Sequence, residues 1–175
     1  MKFKKLILCA IFTALTAIFS QLAIPIGPIP INLATLAVLC SATLLGPIFG
    51  ALSMLIYLLL GVVGVPVFSM MQSGPGVLAG PTGGYIIGYI FAALIAGIVI
   101  ERLKFTTWSI IISLICGYIT YTAIGTFWYM YSANATLLQA LTACVLPFII
   151  GDTLKMIVAF FLTKRLKPII LKMYP

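Results

Sequence analysis

The sequence predicts an all-α integral membrane protein with six transmembrane helices and both termini in the cytoplasm. Apolar residues make up 63% of the 175-residue chain and charged residues only 7%. Soluble domains, by contrast, carry roughly 25% charged residues. Residues 6–100 and 105–151 are all uncharged. Nine of the ten lysines and arginines lie where six spans would bring them to one side of a membrane.

Each predicted span ends where proline, glycine or charge interrupts an apolar run. A membrane helix needs about 20 apolar residues, so the first uncharged segment holds four spans and the second, with the apolar residues after it, holds two. Proline lacks a backbone donor and disfavours helix in the preceding residue. The segment 24–30 therefore ends the first span, Gly46-Pro47 ends the second, and Pro147 predicts a kink in the last. The spans are 6–23, 31–45, 48–63, 81–100, 107–129 and 139–164, forming a single transmembrane domain over 1–175 with no soluble domain.

The net charge of +8 indicates topology rather than binding to nucleic acid. Basic residues precede the first span, follow the fourth and follow the sixth, and the positive-inside rule makes that side cytoplasmic. The first span also resembles a secretory signal, with a basic start and an apolar core, but it lacks a clean A-x-A cleavage site. The nine basic residues are Lys2, Lys4, Lys5, Arg102, Lys104, Lys164, Arg165, Lys167 and Lys172.

Several classes of site are excluded by the composition. The chain has no histidine and only two acids, Glu101 and Asp152, which excludes a His-based triad and an HExxH zinc site. It has no P-loop motif, so on its own it cannot hydrolyse ATP in such a loop. The four cysteines lie far apart in apolar runs, so we expect buried free thiols and no metal site. They are Cys9, Cys40, Cys116 and Cys144.

Asp152 and Lys155 are the strongest candidates for a binding site. Their i,i+3 spacing puts both on one helix face. Lys155 precedes Lys164 by nine residues, about 13 Å along a helix, so the pair lies in the middle or outer half of a hydrocarbon core about 30 Å thick. Ionisable groups at that depth usually mark a path for substrate or ions. A mutually neutralising ion pair that holds helices together is the alternative, and the two interpretations are compatible.

A glycine-rich segment, 72–85, is the second candidate. Glycines allow a backbone to approach a ligand closely, and the predicted helix start at Thr82, Gly83 and Gly84 would offer free N–H groups to an anionic or polar group. A flexible external loop followed by close helix packing explains the composition equally well.

Tyrosines and small residues give two further patterns. Tyr85 and Tyr89 share one helix face, and Tyr118 and Tyr121 share another, so they either line a pocket or pack in the core. Ala10 and its i,i+4 neighbour Ala14 would let a second helix approach closely, from a partner or from this chain. An interfacial aromatic belt is predicted at Trp128, Tyr129 and Tyr131.

Five segments, in order over nearly the whole chain, resemble the BioY family. Its members are the biotin-specific substrate-binding (S) subunits of energy-coupling-factor (ECF) transporters. Two of the segments, Pro-Thr-Gly-Gly-Tyr85 and Gly-Asp-x-x-Lys155, are specific in combination. The five are the Ala10/Ala14 pair, Ile24-Pro-Ile-Gly-Pro-Ile-Pro30, Gly64-Val-Pro-Val-Phe68, residues 73–85, and Gly151-Asp-x-x-Lys155.

The resemblance implies an ECF S-component-like bundle in the cell membrane that binds biotin near its outer face under two loops. It implies no covalent chemistry and no cofactor. Ala10 and Ala14 would meet a transmembrane coupling subunit energised by two ATP-binding-cassette ATPases. Biotin has a carboxylate, a ureido group and an apolar bicycle, which suit a pocket with one Lys, one Asp and several tyrosines, with either charged residue at either end. The implied ligand-binding residues are Asp152, Lys155, Gln72, Ser73, Gly74, Gly76, Tyr85, Tyr89, Asn32 and Tyr121.

Two departures from the family pattern stand out. Asn32 and Ala34 replace a Thr and a Gln that commonly follow the prolines, and Ser69-Met-Met-Gln72 replaces a glycine-rich start of the external loop. Three other functions stay open: an S subunit for another small vitamin, a solitary channel or proton-coupled carrier using Asp152, and an intramembrane enzyme, which the single Asp–Lys pair supports least.

Overall fold

Helices make up most of the chain in the computed structural model, which describes residues 2–25 and 27–173. A two-residue antiparallel ribbon joins the first two helices, and 3-10 turns lie at Ser69–Met71 and Leu146–Phe148. The helices are α1 Lys2–Gln21, α2 Ala34–Leu45, α3 Pro47–Val62, α4 Pro75–Ala79, α5 Gly83–Arg102, α6 Thr107–Ala133, α7 Leu137–Cys144 and α8 Ile149–Met173, and the strands are β1 Ala23–Ile24 and β2 Ile31–Asn32.

Within the described residues, four helical segments are long and apolar enough to cross a membrane. They are Phe3–Gln21, Gly83–Arg102, Thr107–Ala133 and Leu137–Lys172, whereas α2 and α3 are apolar but shorter. The prediction of an all-helical chain with several apolar helices is therefore confirmed, and by length alone four spans qualify rather than six.

The second predicted span is wrong at its beginning. Ile31 and Asn32 form β2, where Ile31 pairs with Ile24 of β1. Pro30 disfavours helix before it, and the Asn32 side chain then accepts a hydrogen bond from the backbone N–H of Ala34 at 3.0 Å. An asparagine that bonds two residues ahead competes with helix formation, so α2 begins only at Ala34.

Three other boundaries differ from the sequence prediction. The segment 64–79, expected as a loop, contains a 3-10 turn and α4, and the helix expected from Pro81 begins at Gly83. The kink expected at Pro147 is a complete interruption: α7 ends at Cys144 and α8 begins after a 3-10 turn. Proline has no N–H for the helical ladder, so the chain makes a turn there instead of continuing.

Charged residues gather at one end of the bundle. The Lys5 ammonium lies 5.4 Å from the centre of the Phe49 ring, and Lys167 donates to the Leu44 carbonyl at 3.0 Å. The Glu101 carboxylate packs against the glycine of the α2–α3 turn. The start of α1, the α2–α3 turn, the end of α5 and the last turns of α8 therefore share this end.

Helix α2 forms the centre of the bundle and is buried on almost all sides, with Leu36 the one half-buried member. A helix that is apolar all round is typical of such a position. Beside it, α5 and α6 pack closely along their length. A Cβ at Gly84 would lie 2.1 Å from the Cβ of Trp128, and one at Gly88 would lie 3.2 Å from the Cα of Tyr121. Glycine is therefore needed where these two helices touch.

We expect Gly84→Ala to destabilise the protein because its methyl group would overlap Trp128. Overpacking of this kind typically costs about 1–3 kcal/mol. The measurement is the temperature at which half of the detergent-solubilised protein is lost from the monodisperse peak. Gly151→Ala is the matched control, since its nearest atom outside the helix is 4.0 Å away, and it should melt no lower than the parent. Equal melting of the two variants would contradict the packing argument.

Candidate functional site

A cavity lies among α2, α5, α6, α8 and the loop after α3. Its volume, counting its open mouth, is about 690 Å³. Asp152 and Lys155 are its only charged lining residues among those that the structure describes. Seven residues expected to bind ligand line it: Asn32, Gln72, Tyr85, Tyr89, Tyr121, Asp152 and Lys155.

The carboxylate of Asp152 and the ammonium of Lys155 form a buried ion pair. Lys155 Nζ lies 2.7 Å from Asp152 Oδ1, and the two residues are only 7% and 4% exposed. Lys155 also donates to the Thr35 hydroxyl at 3.1 Å, and the Tyr121 hydroxyl donates to Asp152 Oδ2 at 2.8 Å. Each charge thus has a counter-charge and a neutral partner, as buried charges require.

The position of the pair at the start of α8 adds to its stability. Asp152 lies in the first turn of this helix, where free N–H groups and the positive end of the helix dipole favour a carboxylate. The break before α8 creates that helix terminus inside the bundle. A continuous helix kinked at Pro147, as the sequence predicted, would have left Asp152 in a helix interior.

Tyrosines form one wall of the cavity, and Tyr121 is at its centre. Its ring makes edge-to-face contacts with Tyr85, Tyr89 and Tyr118, at centroid distances of 6.3, 6.0 and 5.6 Å. Such arrangements are favourable between aromatic rings. The tyrosines therefore pack against one another and line the pocket at the same time, so both interpretations of the pattern apply.

The loop after α3 covers the cavity with Phe68, Ser69 and Gln72. The backbone N–H of Phe68 donates to the carbonyl of Gln72 at 3.1 Å, which closes the five-residue loop. The Asn32 amide donates to the Ser69 hydroxyl at 2.6 Å, so the β-ribbon and the loop meet over the site.

The other glycine-rich residues lie away from the cavity. Ser73 and Gly74 do not line it, and Gly74 instead donates to the carbonyl of Gly61 at 2.7 Å with a positive φ of 91°. Gly76 lines a separate outer depression that Gln72 also borders. At the start of α5, a Cβ on Gly83 would lie 1.8 Å from the carbonyl oxygen of Leu78. Gly74 therefore serves loop conformation and Gly83 serves close packing.

Ala10 and Ala14 are exposed on the surface of α1. Packing within this chain, one of the two interpretations of their spacing, is therefore not their role in the described structure.

In the expected aromatic belt, the Trp128 indole donates to the Gly80 carbonyl at 3.0 Å, whereas Tyr131 is 81% exposed.

Sequence reasoning missed three residues of the site. Thr35 holds the Lys155 ammonium, and it lies in the first turn of α2, which begins at Ala34 rather than at the predicted residue 31. Tyr57 lines the cavity and donates to the carbonyl of Val67 at 3.2 Å. Thr122 lines the opposite wall, and its buried hydroxyl has no hydrogen-bond partner within residues 2–25 and 27–173.

The site offers hydrogen-bonding groups to a ligand. Two of the three N–H groups of the Lys155 ammonium are engaged, which leaves one for a ligand. The Gln72 carboxamide has no side-chain hydrogen bond in the described part of the chain. No group of three or more His, Cys, Asp or Glu residues that could hold a metal ion occurs there either, and all four cysteines are free. The arrangement is that of a binding pocket.

Comparison with known proteins agrees with this geometry. The sequence model of the BioY family matches residues 1–172. The biotin transporter BioY of Thermotoga maritima is 35% identical over 94% of this chain and 96% of its own length. The probable biotin transporter BioY of Pyrococcus horikoshii is 36% identical over 95% of this chain and 98% of its own.

A solved structure has the same fold. It is the crystal structure of the S-component for biotin from an ECF-type ABC transporter, which matches with a TM-score of 0.88 at 32% identity and covers 95% of this chain and 92% of that one. The protein is therefore a multi-pass membrane protein. By its sequence over nearly its whole length and by its fold, the chain belongs to the BioY family.

Proposed function

We propose that the chain binds biotin in the central cavity and acts as the S subunit of an ECF-type uptake transporter in the cell membrane. The observation that carries the proposal is the buried Asp152–Lys155 pair facing a tyrosine-lined cavity, in a chain that shares its fold with a biotin S-component. The protein is a transport component and not an enzyme, and biotin is its cargo rather than a cofactor.

The chemistry of biotin matches the groups that the cavity presents. The remaining N–H of the Lys155 ammonium suits a carboxylate or a ureido carbonyl, and the lone pairs of Asp152 suit ureido N–H groups. Tyr85 and Tyr89 supply flat apolar walls for the bicycle and tail. The carboxamides of Gln72 and Asn32 add donors and acceptors at the mouth.

We propose further that all six predicted spans cross the membrane as one domain, with both termini cytoplasmic. Helix α2 is about 18 Å long, shorter than a hydrocarbon core of about 30 Å. It is buried in the bundle, so it needs no full-length lipid-facing surface, and β2 extends it outward. Lys5, Glu101 and Lys167 gather around the α2–α3 turn, which supports placing that turn on the basic, cytoplasmic side.

The proposed partners are a transmembrane coupling subunit and two ATP-binding-cassette ATPases. Ala10 and Ala14 are exposed on α1, one turn apart, and small residues at this spacing let a partner helix approach closely. Neighbouring Ile7 and Ile11 are also exposed, at 49% and 46%. This face of α1 is the proposed docking surface.

The first test is binding of labelled biotin to the purified chain without ATP. We expect the parent to bind, and Asp152→Asn and Lys155→Met each to weaken binding at least tenfold, about 1.4 kcal/mol. Each single variant removes a group that faces the cavity and leaves a buried charge without its partner. The double variant removes both charges, so it separates loss of the pair from loss of ligand contacts.

If the pair contacts biotin, the affinity of the double variant stays low although the protein elutes as a folded species. Recovery of near-parental affinity would show that the pair is only structural. Glu101→Gln is the matched control. Glu101 is the only other acid in the chain and lies at the far end of the bundle, so the biotin affinity of this variant should stay within about twofold of the parent. A parent that binds no biotin, or binds another vitamin more tightly, would overturn the proposed cargo.

The second test concerns topology. Reporters fused after Lys104 and after Lys172 should indicate a cytoplasmic location. In a background without native thiols, Ala133→Cys should be labelled by an impermeant reagent from outside the cell, since it lies exposed at the end of α6. Leu103→Cys, exposed at the other end of the bundle, should be labelled only after the membrane is opened. The reverse pattern would refute the six-span arrangement.

The third test concerns docking. Ala10→Arg or Ala14→Arg should reduce co-purification with the coupling subunit and abolish biotin uptake, while the isolated chain still binds biotin, because the alanines lie outside the cavity. Ala123→Arg places the same side chain at an exposed position of α6 and should retain co-purification. Loss of the coupling subunit from all three variants alike would argue against a specific docking face on α1.

A further inference from the structure

The last residue of α1, Gln21, holds the loop that covers the cavity. Its carboxamide nitrogen donates to the carbonyl of Phe68 at 3.0 Å, and its carboxamide oxygen accepts from the N–H of Met71 at 2.9 Å. One side chain thus bonds the backbone on both sides of the loop tip, as a neighbouring peptide group would.

The loop needs such support because its backbone is strained. Met70 and Met71 have φ values of 61° and 58°, in the left-handed region that disfavours residues with a Cβ. Both side chains are exposed, at 56% and 68%, so burial of these methionines does not compensate for the strain. The contacts that hold the loop are instead made through its backbone.

The same loop supplies three residues to the cavity wall, and they depend on its position. Phe68, Ser69 and Gln72 line the site, whereas Gln21 does not. Just before the loop, the carbonyl of Val67 accepts hydrogen bonds from Ser20 and Tyr57. Two consecutive residues at the end of α1, Ser20 and Gln21, therefore bind consecutive parts of the covering segment.

We propose that Gln21 is a positioning residue that keeps this loop closed over bound ligand and so sets how slowly ligand leaves. The proposal rests on biotin binding in the cavity. Gln21 acts through the backbone of Phe68 and Met71 and touches no ligand. Loss of its carboxamide frees the strained loop to relax, which withdraws Phe68, Ser69 and Gln72 from the site.

The test is the rate of biotin dissociation from the purified chain after an excess of unlabelled biotin is added. We expect Gln21→Met, which keeps the length of the side chain, to raise the dissociation rate at least fivefold and to change the association rate by less than twofold. Gln139→Met is the matched control. The Gln139 carboxamide also accepts a hydrogen bond from a backbone N–H, that of Thr136 at 2.9 Å, but it lies far from the loop. A dissociation rate within twofold of the parent would overturn the proposal.

A second measurement needs no ligand and separates this proposal from the proposed function. Val67 is only 8% exposed, so Val67→Cys, in a background without native thiols, should react slowly with a water-soluble maleimide. Adding Gln21→Met or Gln21→Glu should speed labelling at least fivefold. Methionine loses both hydrogen bonds to the loop, whereas glutamate keeps an acceptor for the Met71 N–H but repels the Phe68 carbonyl. Unchanged labelling in both would overturn the role of Gln21. A parent that binds no biotin, with labelling still accelerated, would instead refute the proposed cargo alone.

Discussion

The buried ion pair between Asp152 and Lys155 is the constraint around which the rest of the bundle is arranged. A charged side chain near the middle of a membrane costs about 2.5–3.5 kcal/mol even on the lower scales, so neither charge is stable there without partners. Thr35 of α2 and Tyr121 of α6 complete their hydrogen bonding. The pair therefore fixes α8 against both helices, and the cavity forms where these three helices meet. The structural role and the proposed ligand-binding role of the pair rest on the same contacts.

Glycines make room for the aromatic residues that surround this pair. A Cβ at Gly125 would lie 2.4 Å from the ring of Tyr85, and one at Gly61 would lie 2.1 Å from the ring of Phe68. On the opposite side, Gly88 packs against Tyr121. The rings of Tyr85 and Phe68 thus each lie over a residue without a side chain. The gain is a pocket lined by rigid rings within a small bundle, since close helix approach needs small residues at the contacts.

The parts of the site that the sequence predicted are those determined by spacing along one helix. Asp152 and Lys155 share a face at i,i+3, and they are the only charged residues between positions 105 and 163. Thr35 could not be found this way, because its position depends on where α2 begins, and that depends on the hydrogen bond that the Ala34 N–H donates to the Asn32 side chain. Gly74, which has a positive φ of 91° and does not line the cavity, is a related case. Composition does not distinguish a glycine that approaches a ligand from one that permits a positive φ.

Helix α1 connects the two regions that the proposals assign to this chain. Gln21 follows Ala14 by seven residues, which is two helical turns, so it lies on the same side of α1 as the exposed alanines and about 10 Å further along. A helix is held rigid by its own backbone hydrogen bonds. A partner seated on Ala10 and Ala14 that tilts α1 would therefore move Gln21 with it, and the loop bonded to Gln21 would have to follow or detach. The arrangement gives the proposed docking in the middle of α1 a direct mechanical route to the cover of the cavity at the end of the same helix.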